Sequence, residues 1–272
     1  MKITVYAGEY GGDAALQKEY GLGLFIDSRL HNCLFDFGNK TAEKNLSALE
    51  IFPEFADVAV LSHGHVFVGG GLPALKPRLK NAKLYARETA FEPHYFKKSR
   101  FSYKTISLPK KLTAEGTVFT KSFLKIDEEL SLLSNFKPDK KLLESPRYFV
   151  DGKKYFETDT FAHEQALLVT EEGKSVLFVG AAHAGLKQMM ERAEKTYQRP
   201  VSAVVGALAL TDKKGKPIFG EEWVRNFAFE LEKFTSAEFY FASGVGDAVF
   251  NALQEELGER IHRLSVGETK EL

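Results

Sequence analysis

The sequence contains Leu61-Ser62-His63-Gly64-His65-Val66-Phe67-Val68-Gly69-Gly70-Gly71, directly after an apolar run over 58–61, and this segment is the most informative part of the chain. That run has the length and the β-branched content of a buried strand. It therefore places two histidines at the carboxyl end of a strand. Residues two apart in an extended or tightly turning loop point to the same side, so both imidazoles can converge on one metal ion. The glycine between them removes a side chain that would crowd the site.

The same loop resembles the metal-binding loop of the metallo-β-lactamase superfamily, whose hallmark is HxHxDH followed by glycines. His63 and His65 match that pattern, whereas Phe67 stands at the position of the aspartate and Val68 at the position of the last histidine. Both replaced positions carry ligands of the second metal ion in that superfamily. The resemblance thus implies a first metal site that is kept and a second site that has lost donors.

The resemblance extends over nearly the whole chain and narrows to one branch, the 7,8-dihydropterin-6-methyl-4-(β-D-ribofuranosyl)-aminobenzene-5′-phosphate synthase-like hydrolases. Landmarks of that branch are matched in order at 1–5 (MKITV), 19–22 (EYGL), 34–38 (LFDFG), 164–167 (EQAL), 180–185 (GAAHAG) and 266–267 (VG). Its GGFHL is GALAL at 206–210, and its CHCTG is best matched by ASGVG at 242–246, where Ser243 replaces a histidine. The implied fold is a four-layer αββα sandwich of the α/β class, in one domain over 1–272.

The hydrophobic periodicity agrees with alternating strands and helices. It predicts early strands at 3–6, 23–27, 32–36 and 57–61, and a helix over 41–49 capped by Asn39 or Thr41. A hairpin is predicted from 166–170 and 175–179 around a short polar turn with a glycine. Helices over 184–196, 221–234 and 247–257 alternate with strands at 202–205, 238–242 and 261–264. Two stretches, 91–109 and 212–217, lack a clear pattern, and the second is predicted to be an exposed loop.

Composition limits the classes of partner. The 37 basic and 37 acidic residues give no net charge, so neither nucleic acid nor a membrane surface is an expected partner. Cys33 is the single cysteine, which excludes an intramolecular disulfide, and the first residues lack the pattern of a secretory signal. We therefore expect a cytoplasmic protein whose partner is a small molecule. The oligomeric state stays open.

A catalytic zinc site needs three protein ligands with one position left for water. His183 is the first candidate for the third ligand, because it follows a strand in a loop of small residues that matches the family's own histidine. His163 is the alternative, recruited where the family usually has an acid. Asp36, at a strand end, is predicted to orient an imidazole through its second nitrogen, or else to hold a turn. The expected cofactor is one zinc or similar divalent ion, with a metal-free protein as the alternative.

Phe67 and Val68 are expected to fill the second metal site with apolar side chains, and Phe67 to be a buried plug. A substrate wall is predicted from aromatic residues of the irregular segment, with His94 and Tyr95 as its contacts beside Phe67. The other members of that segment are Phe91, Phe96 and Tyr103. Aromatic residues in such a segment are otherwise packing residues.

Two hypotheses about function follow from the sequence. The first is a metal-dependent hydrolase with at most one ion, on His63, His65 and His183, that acts on a small phosphorylated or pterin-like molecule, a substrate class implied only by the resemblance. The second is a non-catalytic protein of the same fold that binds a small molecule or a protein partner. Three retained histidines favour the first hypothesis, and the losses at Phe67, Val68 and Ser243 favour the second.

Overall fold

The computed structural model describes residues 1–11, 13–100, 102–138, 147–152 and 155–272. In chain order the strands are β1 Lys2–Ala7, β2 Gly23–Asp27, β3 Asn32–Phe35, β4 Val58–Val60, β5 Lys83–Arg87, β6 His94–Ser99, β7 Ser102–Thr105, β8 Thr117–Thr120, β9 Phe123–Lys125, β10 Leu130–Ser134, β11 Tyr148–Asp151, β12 Phe156–Thr158, β13 Gln165–Glu171, β14 Lys174–Val179, β15 Ala203–Ala207, β16 Glu238–Ser243, β17 Ile261–Arg263 and β18 Thr269–Glu271. The α-helices are α1 Ala42–Ala48, α2 Val66–Gly69, α3 Leu72–Leu75, α4 Leu186–Tyr197, α5 Glu221–Glu232 and α6 Asp247–Leu257.

These strands form three sheets. The first has the order β18-β1-β2-β3-β4-β5-β8 and the second β17-β16-β15-β14-β13-β10-β9. Each of them is antiparallel on one side and parallel on the other, with β3-β4-β5-β8 and β14-β15-β16-β17 as the parallel parts. A third, smaller sheet has the antiparallel order β12-β11-β6-β7.

The two large sheets pack face to face, and helices cover the second sheet. Phe35 of β3 and Phe178 of β14 meet across the sandwich with their ring centroids 6.0 Å apart. The buried faces of α4, α5 and α6 contribute Met190, Val224 and Leu253 to a second core over the second sheet, while α1 packs against β1. The predicted four-layer αββα fold is confirmed. Among the described residues, no helix is long and apolar enough to cross a membrane.

Local details follow the sequence closely where the pattern is strong. The predicted hairpin forms, and Glu172 and Gly173 have positive φ angles of 50° and 81°, as a tight two-residue turn requires.

Thr41 stands at the predicted N-cap of α1, but its side chain makes no capping hydrogen bond. The carboxylate of Glu19 accepts the main-chain N–H groups of Asn39, Lys40 and Thr41 instead. A residue distant in sequence thus holds the main chain that leads into this helix.

The third sheet was not anticipated. The segment 91–109, which the sequence leaves without a clear pattern, contains β6 and β7. Their side chains are mostly exposed or half-buried, so no alternation of apolar and polar residues marks them. They are held by β11, far along the chain, through the pairing of Tyr148 with Phe96. The final strand β18 is also absent from the sequence prediction, because Thr269–Glu271 is polar throughout.

Candidate metal centre

The histidine loop is shaped by a close approach of main chains. β4 ends at Val60, and the chain turns through His63 and His65 into the short helix α2. A Cβ atom at Gly64 would lie 2.3 Å from the carbonyl oxygen of Ala90 and 2.6 Å from Nε2 of His94. Only glycine fits there, because real Cβ contacts do not fall below about 3 Å. The absence of a side chain lets both histidines turn into the interior.

Three imidazoles converge at one point. Nitrogen atoms of His63, His65 and His183 lie within 4.8 Å of one another, and all three residues are buried. The first two leave the first sheet after β4, and His183 leaves the second sheet after β14. Nε2 of His65 is buried without a hydrogen-bond partner among the described residues. An orphaned buried nitrogen beside two further imidazoles fits a bound cation.

Electrostatics keep these imidazoles neutral. Burial lowers the pKa of His63 and of His65 well below 6.5, and the neighbouring histidines lower both further. Burial, and then the electrostatic effect of the neighbouring His163, lower the pKa of His183 to about 3. A histidine ligates a metal through the lone pair of its neutral ring. These three side chains are therefore in the protonation state that metal binding requires at physiological pH.

Asp36 orients His63 through an intermediate residue. Its two carboxylate oxygens accept the main-chain N–H of Ser62 at 2.8 Å and the Ser62 hydroxyl at 2.7 Å. Because that hydroxyl hydrogen is used, the Ser62 oxygen is the acceptor for Nδ1 of His63, 2.8 Å away. The proton of His63 is thus fixed on Nδ1, which leaves the lone pair of Nε2 for a metal. The sequence singled out Asp36 but gave no signal for Ser62.

Glu164 fixes the loop that carries His183. Its buried carboxylate accepts the main-chain N–H groups of His183 at 3.0 Å and of Ala184 at 2.8 Å. Burial raises the pKa of Glu164 to about 7, although the two hydrogen bonds lower it. Gly180 brings this loop against the first histidine loop, because a Cβ atom there would lie 1.8 Å from Oγ of Ser62. The supporting role of Glu164 was not predicted, although it lies in the EQAL landmark.

His163 and His94 belong to a hydrogen-bonded group behind His65. Nδ1 of His163 accepts the main-chain N–H of Gly64 at 2.9 Å, so its proton lies on Nε2, which faces Oδ2 of Asp159 at 3.0 Å. Nδ1 of His94 lies 3.3 Å from the same carboxylate oxygen. Potential donor atoms of His65, His94, Asp159 and His163 also lie within 4.8 Å of one another.

A metal on that second set would have to displace existing hydrogen bonds. Both nitrogens of His163 are engaged, and binding a cation through Nε2 would leave a ring with a proton on neither nitrogen. The geometry consequently favours His183 over His163 as the third ligand. Asp159 keeps a pKa well below 3.8, because the bonds to His163 and His94 outweigh the effect of its burial.

Phe67, Val68 and Ser243, the positions at which the sequence resemblance implies a second metal site, aim no donor at a metal in the structure. Phe67 packs edge-to-face on Tyr20, with ring centroids 5.2 Å apart, and Nζ of Lys213 lies 4.4 Å from the Phe67 centroid. The Ser243 hydroxyl donates to Glu9 at 3.0 Å. Phe67 is only partly buried, so the expectation of a buried plug is wrong for it. The short turn of α2 directs Val68 inward instead, where it is 2% exposed.

Two spaces adjoin the three histidines. A small cavity of about 30 Å³ is lined by His63, His65, His183 and Phe67, among others, and this is room for one or two water-sized species. A long cleft of about 760 Å³ adjoins it and shares Tyr148 and His183 as lining residues. Tyr148 covers the site, with its ring stacked on His65 at a centroid distance of 5.5 Å.

The predicted substrate wall is only partly found at these spaces. Phe67 lines the small cavity. His94 is buried in the group behind His65, and Tyr95 packs on Phe156 of the third sheet at a ring distance of 4.6 Å. Neither lines the cavity or the cleft. The aromatic wall of the cleft comes from α5 and its approach, around Trp223, which the sequence did not indicate because these residues read as the apolar face of a helix.

Comparisons with known proteins identify this fold. No protein-family model matches the chain, and no curated protein matches it in sequence. Among solved structures, Tm1679, described as a metal-dependent hydrolase of the β-lactamase superfamily, has a TM-score of 0.81 at 19% identity and covers 100% of this chain and 99% of its own. Zinc-bound PqqB from Methylobacterium extorquens has a TM-score of 0.57 at 11% identity and covers 100% of both chains.

A third structure is the metallo-β-lactamase fold protein YhfI from Bacillus subtilis, with a TM-score of 0.55 at 12% identity, covering 99% of this chain and 98% of its own. At these identities the similarity concerns the fold. The chain has the metallo-β-lactamase fold, and its clustered histidines lie where the two sheets of that fold meet.

Proposed function

We propose that this protein is a metal-dependent hydrolase that uses one divalent ion, zinc or a similar metal, and acts on a small molecule. The observation that carries the proposal is the convergence of His63, His65 and His183 within 4.8 Å, all buried and neutral, beside a cleft large enough for a substrate. Tm1679, described as a metal-dependent hydrolase of the β-lactamase superfamily, has the same fold, which supports the proposal.

A divalent ion on three imidazoles supplies Lewis-acid activation of water at neutral pH. The residues around the histidines position these ligands and limit the access of water. Asp36 and Ser62 hold the His63 tautomer, and Glu164 holds the main chain at His183. Tyr148 and Phe161 pack on His183, at ring distances of 4.7 and 4.9 Å, and so limit the access of bulk water.

The substrate we propose is a small phosphorylated or pterin-like molecule that reaches the histidines from the long cleft. This class follows from the resemblance of the sequence to one branch of the superfamily. We further propose a cytoplasmic location, with neither nucleic acid nor a membrane as partner, in agreement with the charge balance of 37 basic and 37 acidic residues.

A non-catalytic protein of the same fold is the second candidate. The arrangement of Phe67 against Tyr20 and of Ser243 on Glu9 favours it, because these contacts occupy the positions where a second ion would assist a leaving group. Such a protein would keep the cleft as a ligand-binding site without turnover.

Hydrolysis of a panel of small phosphoesters, carboxylic esters and lactones by the zinc-, cobalt- or manganese-loaded protein tests the proposal. We expect activity that disappears with chelator and in His183→Ala. His262→Ala is the matched control, because His262 is a half-exposed histidine that stacks on Tyr240 away from the cluster, and it should keep full activity. Activity that survives His183→Ala, or no activity with any metal and class of substrate, would contradict the proposal and favour the second candidate.

A further inference from the structure

The long cleft has the size and position of a ligand-binding site. Its volume of about 760 Å³ lies in the range of small-molecule sites, roughly 300–1,000 Å³. Its inner end is formed by His183 and Tyr148, which also line the small cavity. A ligand that fills the cleft would therefore reach His183.

One wall of the cleft is a stack of three aromatic rings. Phe219 and Trp223 are stacked with centroids 4.0 Å apart and planes 19° apart, and Trp223 and Phe227 follow at 5.3 Å and 12°. Their spacing of four residues places them on one face of α5 and its approach. All three rings are only partly buried, so the stack is not a closed core and leaves aromatic surface for a ligand.

Two basic residues line the cleft, and one of them has no counter-charge among the described residues. Lys187, at its edge, forms an ion pair with Glu230. Arg147 is exposed and lines the same cleft, and within the described part of the chain its guanidinium makes neither an ion pair nor a hydrogen bond. A planar guanidinium recognises carboxylate and phosphate oxyanions through paired hydrogen bonds. The amides of Gln188 and Asn226 add neutral hydrogen-bonding groups.

We propose that the long cleft binds a small oxyanion that carries a planar apolar ring, with the ring against the aromatic wall around Trp223 and the anionic group at Arg147. That this ligand is the substrate rests on the proposed function. Binding itself requires only the cleft, and it can be measured on protein without metal. Failure of the metal chemistry and failure of the cleft assignment are therefore separable.

Trp223 is the single tryptophan of the chain, so its fluorescence reports on this cleft alone. We would titrate the full chain in chelator with benzylphosphonate, which has both the ring and the oxyanion. Propylphosphonate, which lacks the ring, and benzyl alcohol, which lacks the charge, are the comparison probes. We expect a saturable change in emission with benzylphosphonate and about tenfold weaker binding of the other two, since each lacks one group worth about 1.4 kcal/mol.

Variants separate the two contributions, with calorimetry as the readout where the fluorophore is removed. Arg147→Gln should weaken benzylphosphonate binding about tenfold, and Arg147→Lys should restore part of the loss. Trp223→Ala should weaken it similarly, whereas Trp223→Phe should retain most of it. Arg199→Gln is the matched control, because Arg199 is exposed and does not line the cleft.

Three results would overturn the proposal. These are equal binding of propylphosphonate, unchanged affinity in Arg147→Gln, and no saturable binding of benzylphosphonate by a folded protein. Loss of binding in Trp223→Ala counts in favour only if the melting temperature of that variant matches the parent, and Trp223→Phe supplies the comparison if it does not.

Discussion

The main-chain N–H of Gly64 donates a 2.9 Å hydrogen bond to Nδ1 of His163, so this histidine holds the loop between His63 and His65 from behind. A ring nitrogen that accepts a main-chain hydrogen bond cannot also carry the proton, and the other nitrogen of His163 points at Asp159. His163 thereby supports the loop that carries His63 and His65. This relationship leads to the first prediction.

His163→Ala should weaken metal binding by about 10- to 100-fold without abolishing it, as expected for a residue that positions ligands. His63→Ala, His65→Ala and His183→Ala should each abolish tight binding, because two imidazoles do not hold zinc in a catalytic arrangement. Competition with a chromophoric chelator measures all four affinities, with His262→Ala as the control. Our ligand assignment is wrong if His163→Ala strips the metal while His183→Ala leaves it bound.

The protein should bind at most one transition-metal ion. Phe67, Val68 and Ser243 bring no metal ligand to the positions where the sequence resemblance implies a second site. The donor set behind His65 shares that residue with the three-histidine cluster and holds His163 in two hydrogen bonds. Elemental analysis after expression in metal-supplemented medium should give no more than one equivalent. Two ions that resist dialysis would refute this.

Phe67→Asp combined with Val68→His should destabilise the metal-free protein. Val68 is buried, so an imidazole there replaces apolar packing with an unpaired polar ring, at a cost of about 2–4 kcal/mol. Phe67→Asp alone should cost less, because Phe67 is partly exposed and Lys213 lies over it. Thermal melts in chelator measure both variants. A double mutant that melts like the parent would show that Val68 is not packed as described.

Zinc should restore part of the stability lost in that double mutant, because binding to the folded state shifts the equilibrium. The rescue should be incomplete, since Ser243 leaves the restored site one histidine short. Thermal melts of the double mutant and of a triple mutant that also carries Ser243→His, each with and without zinc, test this. Zinc should raise the melting temperature of the triple mutant more than that of the double mutant, whereas a general effect of zinc would be equal in both. Melts of the parent protein with zinc measure the stabilisation that arises from His63, His65 and His183 alone.

His31 should stabilise the fold more at acid than at alkaline pH. Burial lowers the pKa of His31, but its bridge to Asp57 and Asp127 outweighs burial, and the net pKa is raised above 6.5. Since the folded pKa exceeds the unfolded value of about 6.5, the stabilisation is complete below that pH and is lost as pH rises through the folded pKa.

Melts of His31→Gln and of the parent across about pH 5.5 to 9 test this. The variant should melt about 2–4 °C lower near pH 6, since a partly exposed ion pair contributes on the order of 1 kcal/mol, and the gap should narrow toward pH 9. His262→Gln is the matched control. A gap that widens with pH would contradict the assigned sign.

The sequence predicted most of the sandwich because its buried strands and amphipathic helices have clear periods. Two segments are recognisable from their own residues. Ala203–Ala207 is a short apolar run in which every residue is buried, and Asp247–Leu257 buries one face of a helix. The third sheet was missed because His94–Ser99 is stabilised by a partner strand more than 50 residues later. Pairing between distant polar or aromatic strands leaves no local signal.

The candidate site was likewise predicted only in part from the sequence. His63, His65 and His183 were found from a motif and from their position at strand ends, and the structure brings their nitrogens together. The roles of Ser62 and Glu164 depend on which backbone N–H or carboxylate faces them after folding, and no spacing in the sequence encodes this. The cleft around Trp223 was missed because aromatic residues on a partly exposed helix face have the same spacing in sequence as those on a buried helix face.

The three imidazoles lie on loops that follow strands of two different sheets, two on the loop after β4 and one on the loop after β14. A cation shared among them would act as a cross-link between the halves of the sandwich and would close a loop of more than a hundred residues between His65 and His183. Closing so long a loop removes much entropy from the unfolded chain. Loading the metal should therefore slow amide hydrogen exchange in both sheets together, including at residues far from the histidines.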